Sequence, residues 1–253
     1  MAFTHFWHQL HLHRKKISIL FLLFLLGSGE AFSQKTVFQH NLPHHDAKRV
    51  HYGLYLAIHH ARFRVQHSDS LVREMANGSP TRVNPKFFPG FGGGLVLNIR
   101  ANDYMDVRFL PGVGFYSRVV EFAKLEQNPS QPEGLTVDQE VGSLFVELPL
   151  LLKYKSERRG NTRVYFVGGV RPGFDLTSKR KIAEEEGLRT IERDLTVEYG
   201  IGLDLFFPFF KFSPELRFSH GLMNVKMPDH NLYSNSIRRL STHTVTLYFF
   251  FES

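Results

Sequence analysis

Residues Asp194 to Gly221 read DLTVEYGIGLDLFFPFFKFSPELRFSHG, and this stretch decides the fold. From Leu195 to Phe207 every odd position is apolar, whereas the even positions hold Thr196, Glu198, Gly200, Gly202, Asp204 and Phe206. After the turn the pattern returns, with Phe212, Pro214, Leu216 and Phe218 alternating with Lys211, Ser213, Glu215, Arg217 and Ser219. A period of two residues predicts extended strands whose two faces meet different surroundings. The four residues Phe207-Pro208-Phe209-Phe210 predict a tight turn between them.

The chemistry of these two faces indicates which surroundings they meet. Both strands carry acidic residues near their middle, and the turn that joins them is aromatic rather than polar. A membrane-inserted barrel places apolar side chains outside, polar side chains inside and aromatic residues at the interfaces. The stretch therefore predicts a hairpin of two membrane-spanning strands.

Six further segments alternate in the same way. They are about His51–Phe63, Gly90–Arg100, Tyr104–Arg118, Val141–Lys155, Arg163–Leu176 and Ser241–Phe251. Their connections alternate between long and short, as in outer-membrane barrels with long outer loops and short periplasmic turns. The sequence therefore predicts an all-β fold, an eight-stranded antiparallel up-and-down transmembrane β-barrel over residues 51–253. We expect both termini on the periplasmic side.

The N-terminus predicts export. Basic residues Arg14-Lys15-Lys16 precede the apolar run Ile17–Leu26, and Ala31-Phe32-Ser33 is a small-x-small cleavage site. This pattern is typical of a signal peptide, here residues 1–33, and the run is short for a membrane helix. We interpret residues 34–50 as a periplasmic lead-in. Its histidines, His40, His44 and His45, are expected to be solvated rather than to bind a metal.

The composition of the chain excludes several classes of function. The chain has 253 residues, a net charge of +7 and no cysteine, which excludes disulfides, thiolate metal sites and a lipoprotein anchor. Part of the basic charge lies in the leader, and no basic run with stacking aromatics indicates nucleic-acid binding. We expect no cofactor, no metal and no small-molecule substrate.

The polar faces of the predicted strands converge inside the barrel. An eight-stranded barrel is just wide enough for side chains to fill, so we predict a packed interior of charges and glycines. Acidic and basic residues are nearly balanced in the predicted lumen network of Arg108, Glu147, Lys153, Arg171, Asp175, Glu198, Asp204, Glu215 and Arg217. Glu198 and Glu215 could instead form a catalytic pair, but ion pairing with Arg171 and Arg217 is the favoured interpretation.

Two further features bear on this prediction. Prolines cannot donate to a strand ladder, so bulges or bends are expected at Pro111, Pro149, Pro172 and Pro214. Some small membrane barrels are lipid hydrolases, and Ser219, His220, Ser241 and His243 are the candidates for such chemistry. No G-x-S-x-G elbow is present, and we expect no catalytic residue.

Two segments are specific enough to compare with a known family. They are P-L-L-L-K-Y at 149–154 and P-F-F-K-F-S-P-E-L at 208–216, with motif residues Pro149, Lys153, Tyr154, Pro208, Lys211, Pro214 and Glu215. Shorter matches occur at Phe109–Gly112, Glu121-Phe122, Gly168-Gly169, Asp175-Leu176 and Gly200–Asp204. In these motifs and in their order, the chain resembles the PorT family of Bacteroidota outer-membrane proteins.

The resemblance implies a role in type IX protein secretion. A member of this family is needed for export of cargo across the outer membrane and, in gliding species, for delivery of surface adhesins. The implied partners are other outer-membrane and periplasmic proteins of that system, together with outer-membrane lipid. It implies no enzymatic activity. The alternatives are a lipid-modifying barrel enzyme and a structural or adhesive barrel that binds surfaces through its loops.

Overall fold

The computed structural model describes residues 41–77, 82–123, 136–177, 190–227 and 236–253. The predicted signal peptide, His40 and most of the long loops lie outside these residues. The described part is almost entirely β-structure, with a single turn of 3-10 helix at His45–Ala47 and the short helix α1 at Asp69–Ala76. None of the helices in the described ranges is long and apolar enough to cross a membrane.

Eleven strand segments form one antiparallel sheet. They are β1 (Val50–His67), β2 (Arg82–Lys86), β3 (Phe88–Arg100), β4 (Met105–Phe109), β5 (Gly112–Ala123), β6 (Thr136–Glu147), β7 (Leu150–Lys155), β8 (Thr162–Asp175), β9 (Arg193–Phe206), β10 (Lys211–Gly221) and β11 (Ile237–Glu252).

The sheet closes on itself as a ring of eight strands. Three of these strands consist of two consecutive segments each, namely β2 with β3, β4 with β5, and β6 with β7. Each strand pairs with its neighbours in the sequence, and the last segment, β11, pairs with β1 along nearly its whole length. Pairing of β8 with β9 completes the circuit. Closure leaves the ring without a free strand edge, and the predicted eight-stranded up-and-down barrel is confirmed.

The prolines interrupt strands without shifting their register. The strand segments end at Leu110-Pro111 and at Leu148-Pro149, yet the same register continues on both sides of each gap. The carbonyl groups of Pro111, Pro149 and Pro172 still accept backbone bonds of 2.9–3.1 Å. Next to Pro214 the pairing with β9 is missing for two residues, again without a shift. The register excludes a bulge at these four prolines, because a proline loses only its N–H and keeps its acceptor. The alternative, a local bend of the strand, stays a prediction.

Irregularities of register lie elsewhere in the described strands. The pairing of β1 with β11 shifts by one residue between Gln66 and His67, and a second irregularity lies between β2 and β3. Lys86 and Phe91 are five positions apart in the sequence, whereas their partners on β5, Val119 and Phe115, are four positions apart. The second barrel strand therefore contains one extra residue, as a β-bulge requires. The segment that was expected to be loop up to Pro89 contains α1, β2 and this bulge.

The outer wall is apolar from strand to strand. Outward side chains such as Leu54, Leu95, Phe166 and Ile201 are exposed, and Leu203 and Leu216 of the opening hairpin are each 40% exposed on this wall. A continuous apolar band of this extent on a closed sheet is what a lipid environment requires.

The interior is more apolar than the sequence predicted. Besides charged residues, it contains one cluster formed by Tyr55, Ala57, Val96, Leu110, Leu151, Tyr248 and Phe250. A second cluster fills the end that carries the long loops, where Leu71 of α1 packs with Phe63, Val83, Val120, Phe122, Val141, Val225, Ile237 and Leu240. The prediction of an interior made of charges and glycines is therefore incomplete. Glycine makes room for aromatic rings instead, since a Cβ at Gly202 would collide with the Tyr165 ring.

Candidate functional site

The charged interior is built by alternation along several strands of the ring. In β9 and β10 the side chains of Glu198, Asp204, Glu215 and Arg217 all point inward and are at most 1% exposed. Strands β4, β7 and β8 contribute Arg108, Lys153 and Arg171, which are also buried. Glu147 and Asp175 are buried as well, so all nine predicted lumen residues lie on the inner side of the wall.

Eight of the interior side chains form one continuous chain of alternating charge. Arg171 contacts Glu147 at 2.8 Å and Glu198 at 3.2 Å, and Arg217 joins Glu198 at 3.0 Å to Glu215. Arg108 then joins Glu215 to Glu252 (3.2 and 3.0 Å), and Lys211 ends the chain on Glu252 at 2.8 Å. Four acids and four bases alternate, so every charge in this chain has an opposite neighbour, as a low-dielectric interior requires.

Two further ion pairs, which are not part of this alternating chain, lie toward the short-turn end. Lys153 donates to both carboxylate oxygens of Asp204 at 2.7 and 2.8 Å, and the Ser213 hydroxyl donates to the same carboxylate at 2.7 Å. Lys155 pairs with Asp106, which also accepts from Asn98. The Asp175 carboxylate accepts from the backbone N–H and the hydroxyl of Thr177.

Aromatic rings separate the layers of charge. The Arg217 guanidinium lies 4.1 Å from the Tyr248 ring centroid, and Arg108 lies 4.6 Å from that of Phe250. The Tyr116 hydroxyl donates to Glu147 at 2.6 Å and accepts from Arg171 at 2.8 Å. These stacked cations are held from several directions, so the interior is an ordered scaffold.

Sequence reasoning missed seven buried charged residues of the described chain, namely Asp106, Arg118, Lys155, Arg163, Asp194, Lys211 and Glu252. Asp106 and Lys155 lie two residues from the predicted Arg108 and Lys153, so continued alternation would have found both. Lys211 was singled out only as a motif residue. Glu252 shares its face with Tyr248 and Phe250, but the last strand was expected to end one residue earlier.

The proposed catalytic arrangements are not assembled. Arg217 lies between Glu198 and Glu215 and binds both carboxylates. Ser219 is buried and donates to Glu198 at 2.7 Å, whereas the adjacent His220 points outward. Because neighbours along a strand face opposite sides, this serine and this histidine cannot meet. Ser241 is also buried, and the outward-facing His243 contacts His220.

The described part of the lead-in, residues 41–50, packs across the short-turn end of the barrel. Asn41 donates to the carbonyl of Phe206 at 2.9 Å, and Arg163 donates to Asp46 at 2.7 Å. His45 is buried and stacks on His51, with ring centroids 3.9 Å apart. The expectation of a solvated His45 is therefore wrong, because the closed ring offers its ring an aromatic surface. Among the described residues no group of three or more His, Cys, Asp or Glu could hold a metal.

Electrostatics at this end favour a neutral histidine beside a charged acid. Burial lowers the pKa of His45, and the neighbouring Asp46 carboxylate opposes that shift. His45 and the Arg163 guanidinium hold the pKa of Asp46 well below its usual range. Because His45 titrates lower when folded, its contribution to stability is complete above about pH 6.5 and declines below that value. The Asp46 contribution is present above about pH 4 and declines below it.

Comparison with known proteins agrees with this architecture. Residues 32–226 match the model of a family described as outer membrane protein beta-barrel domain. The chain belongs to this family. A search of curated proteins returns no match.

Solved structures of small outer-membrane barrels resemble the chain in fold. The outer membrane protein OprG from Pseudomonas aeruginosa is 13% identical with a TM-score of 0.41, over 79% of this chain and 94% of that one. Neisserial surface protein A is 10% identical with a TM-score of 0.40, over 79% and 95%. Ail, the attachment invasion locus protein of Yersinia pestis, is 11% identical with a TM-score of 0.37, over 81% and 100%.

Proposed function

We propose that this barrel is an outer-membrane component of the type IX protein secretion system, required for export of cargo proteins. Its role would be accessory, through contacts with other proteins of that system, and would include no enzymatic step. The proposal starts from the motif segments at 149–154 and 208–216, which resemble the PorT family.

The main structural support for the proposal is the position of the motif residues in the barrel. Lys153 of the first segment lies on β7, and Lys211 and Glu215 of the second lie on β10, so the two segments are far apart in sequence. All three side chains are buried in the charged interior, where Lys153 binds Asp204, Lys211 binds Glu252 and Glu215 binds Arg108. The motifs therefore specify one shared scaffold, which supports a family-specific barrel rather than chance similarity.

The same scaffold shapes the short-turn end, where the partner contact is proposed. Pro208 belongs to the turn between β9 and β10, and the next residue, Phe209, is 89% exposed. The lead-in segment packs beside this turn, since Asn41 binds the carbonyl of Phe206. An exposed aromatic residue on a fixed turn is a typical anchor for a protein contact. In the proposed orientation this end faces the periplasm.

The experiment is complementation of a deletion strain. Deleting the gene should leave cargo proteins in the periplasm, and the wild-type chain should restore them to the medium. Phe209→Ser is expected to restore less secretion than wild type, because the turn loses its exposed aromatic residue. Leu176→Ser is the matched control, since Leu176 is 59% exposed at the opposite, long-loop end.

Folding of each variant is checked by heat-modifiable migration in gels, so that loss of the barrel is not mistaken for loss of a contact. Normal secretion in the deletion strain would overturn the proposed function. Full activity of Phe209→Ser, with a functional wild-type control, would overturn the short-turn contact alone.

A further inference from the structure

A row of polar and aromatic side chains crosses the outer wall near its long-loop end. It passes from the bulge before β3 to β1, β11, β10 and β9 through Phe87, Arg62, His243, His220 and Tyr199. Strand register places these residues side by side, because Arg62 is paired with His243 and His243 with His220. Neither the interior ion pairs nor the proposed role in secretion explains why this part of the outer wall is polar.

Direct contacts hold the row together. The Arg62 guanidinium carbon lies 4.4 Å from the centroid of the Phe87 ring. His243 Nδ1 is 3.1 Å from His220 Nδ1, and His220 Nε2 is 3.0 Å from the Tyr199 hydroxyl. The side chains are thus positioned by one another rather than extended separately into solvent.

The row marks the edge of the apolar band. On the side toward the short turns, the outward residues of the same strands are apolar, including Ile58, Leu247 and Leu216. On the side toward the long loops, β1 continues with the exposed Arg64. In a bilayer this edge is the level at which hydrocarbon gives way to lipid head groups.

The positive charge of the row lacks a carboxylate partner. In the described ranges no acidic side chain pairs with Arg62 or Arg64, and Arg62 Nε has no hydrogen-bond acceptor. Lys86, at a similar height on β2, differs because it pairs with Glu121 and with Asp138 at 3.1 Å. A guanidinium beside hydrocarbon is costly unless an anion accompanies it, so this sector is matched to an external anion.

We propose that this row binds the phosphate group of a membrane lipid on the long-loop side of the bilayer. Arg62 would supply a planar pair of N–H donors, which suits a phosphate, and His243 would donate through Nε2 from the neighbouring strand. His220, whose two ring nitrogens face His243 and Tyr199, would hold the His243 ring in place. The apolar wall below the row would receive the acyl chains. The occupant is therefore a lipid, because a soluble anion would leave that wall uncovered. This inference requires membrane insertion and is independent of any role in secretion.

The loop pattern predicts that the long loops face outside, so bis-phosphorylated lipid A is the chosen probe. The full chain, purified in detergent, is titrated with lipid A and separately with phosphatidylcholine, and bound lipid is measured by native mass spectrometry. Wild type is expected to retain lipid A in preference to phosphatidylcholine. The triple variant Arg62→Gln/His220→Gln/His243→Gln is expected to bind lipid A about tenfold more weakly, equivalent to about 1.4 kcal/mol.

Lys86→Gln is the control, because it removes a cation that already has carboxylate partners, and it should bind as wild type does. Equal retention by wild type and the triple variant would overturn the proposal, and so would an equal loss in Lys86→Gln. Displacement of lipid A by inorganic phosphate at equal concentration would show a soluble-anion site and would also overturn it. If the triple variant does not fold, Arg62→Gln alone should weaken binding, and unchanged binding would refute the site.

Discussion

At the scale of single residues, the interior is defined by charge pairing. Each cation of the alternating chain that runs from Glu147 to Lys211 touches at least one carboxylate. Such pairs gain little net stability over apolar packing, but one member left alone is strongly unfavourable. The charges therefore act together to specify how the strands must come together, because a wrong register would leave charges unpaired.

The Lys153–Asp204 pair offers a direct test. Lys153→Met leaves a buried carboxylate with only the Ser213 hydroxyl as a donor among the described contacts, so we expect it to destabilise the barrel by about 3–5 kcal/mol. The double variant Lys153→Met/Asp204→Leu should recover most of this loss, because no isolated charge remains. Unfolding by urea in detergent micelles measures both.

Lys48→Met is the control for this pair. Lys48 is exposed, and its replacement should change the free energy of unfolding by no more than about 0.5 kcal/mol. If the single and double variants at the pair lost the same stability, the charge-pairing argument would be contradicted.

At the scale of elements, the bulge between β2 and β3 is the main departure from a regular strand. Close to this bulge, His59 contacts the Phe115 carbonyl oxygen from inside the barrel, with Nε2 at 3.1 Å. The His59 ring is further held by stacking on Tyr116, at 4.0 Å between centroids. A buried histidine thus ties β1 to the backbone of β5 beside the bulge.

Gly90 is required for this arrangement, and Gly142 is the matched control. A Cβ at Gly90 would collide with the His59 ring and the Phe115 carbonyl oxygen, whereas none of the described atoms lies within 4 Å of a Cβ at Gly142. Gly90→Ala should cost about 1–3 kcal/mol of unfolding free energy. Gly142→Ala should be neutral or stabilising by about 0.4–1 kcal/mol.

Both glycine variants are compared by urea unfolding in the same detergent. Equal stability of the two would mean that the bulge relaxes without cost, and the role assigned to Gly90 would then be wrong.

At the scale of the whole molecule, the ring has two chemically different ends. At one end residues 41–50 pack against the short turns, and toward the other end lies the apolar cluster that contains Leu71. The family is that of outer-membrane barrels. The direction of insertion follows from the loop pattern and remains a prediction.

Single cysteines test this direction, because the natural chain has no cysteine. Gln66 is exposed near the long-loop end of β1, and Ser156 is exposed in the turn after β7. In intact cells a membrane-impermeant maleimide should label Gln66→Cys but not Ser156→Cys. Labelling of Ser156→Cys should appear once the outer membrane is permeabilised, and the reverse pattern would invert the proposed orientation.

The sequence by itself determined the number of strands, the inner and outer faces and nine of the buried charges. Period-two alternation fixes these features locally, since each residue's face follows from its neighbours. Only the tertiary structure decided which carboxylate each cation meets, where the bulge lies and that His45 is buried. These features depend on strand register and ring closure, which join residues as distant as Arg108 and Glu252. Alternation along one strand carries no information about what the opposite wall provides.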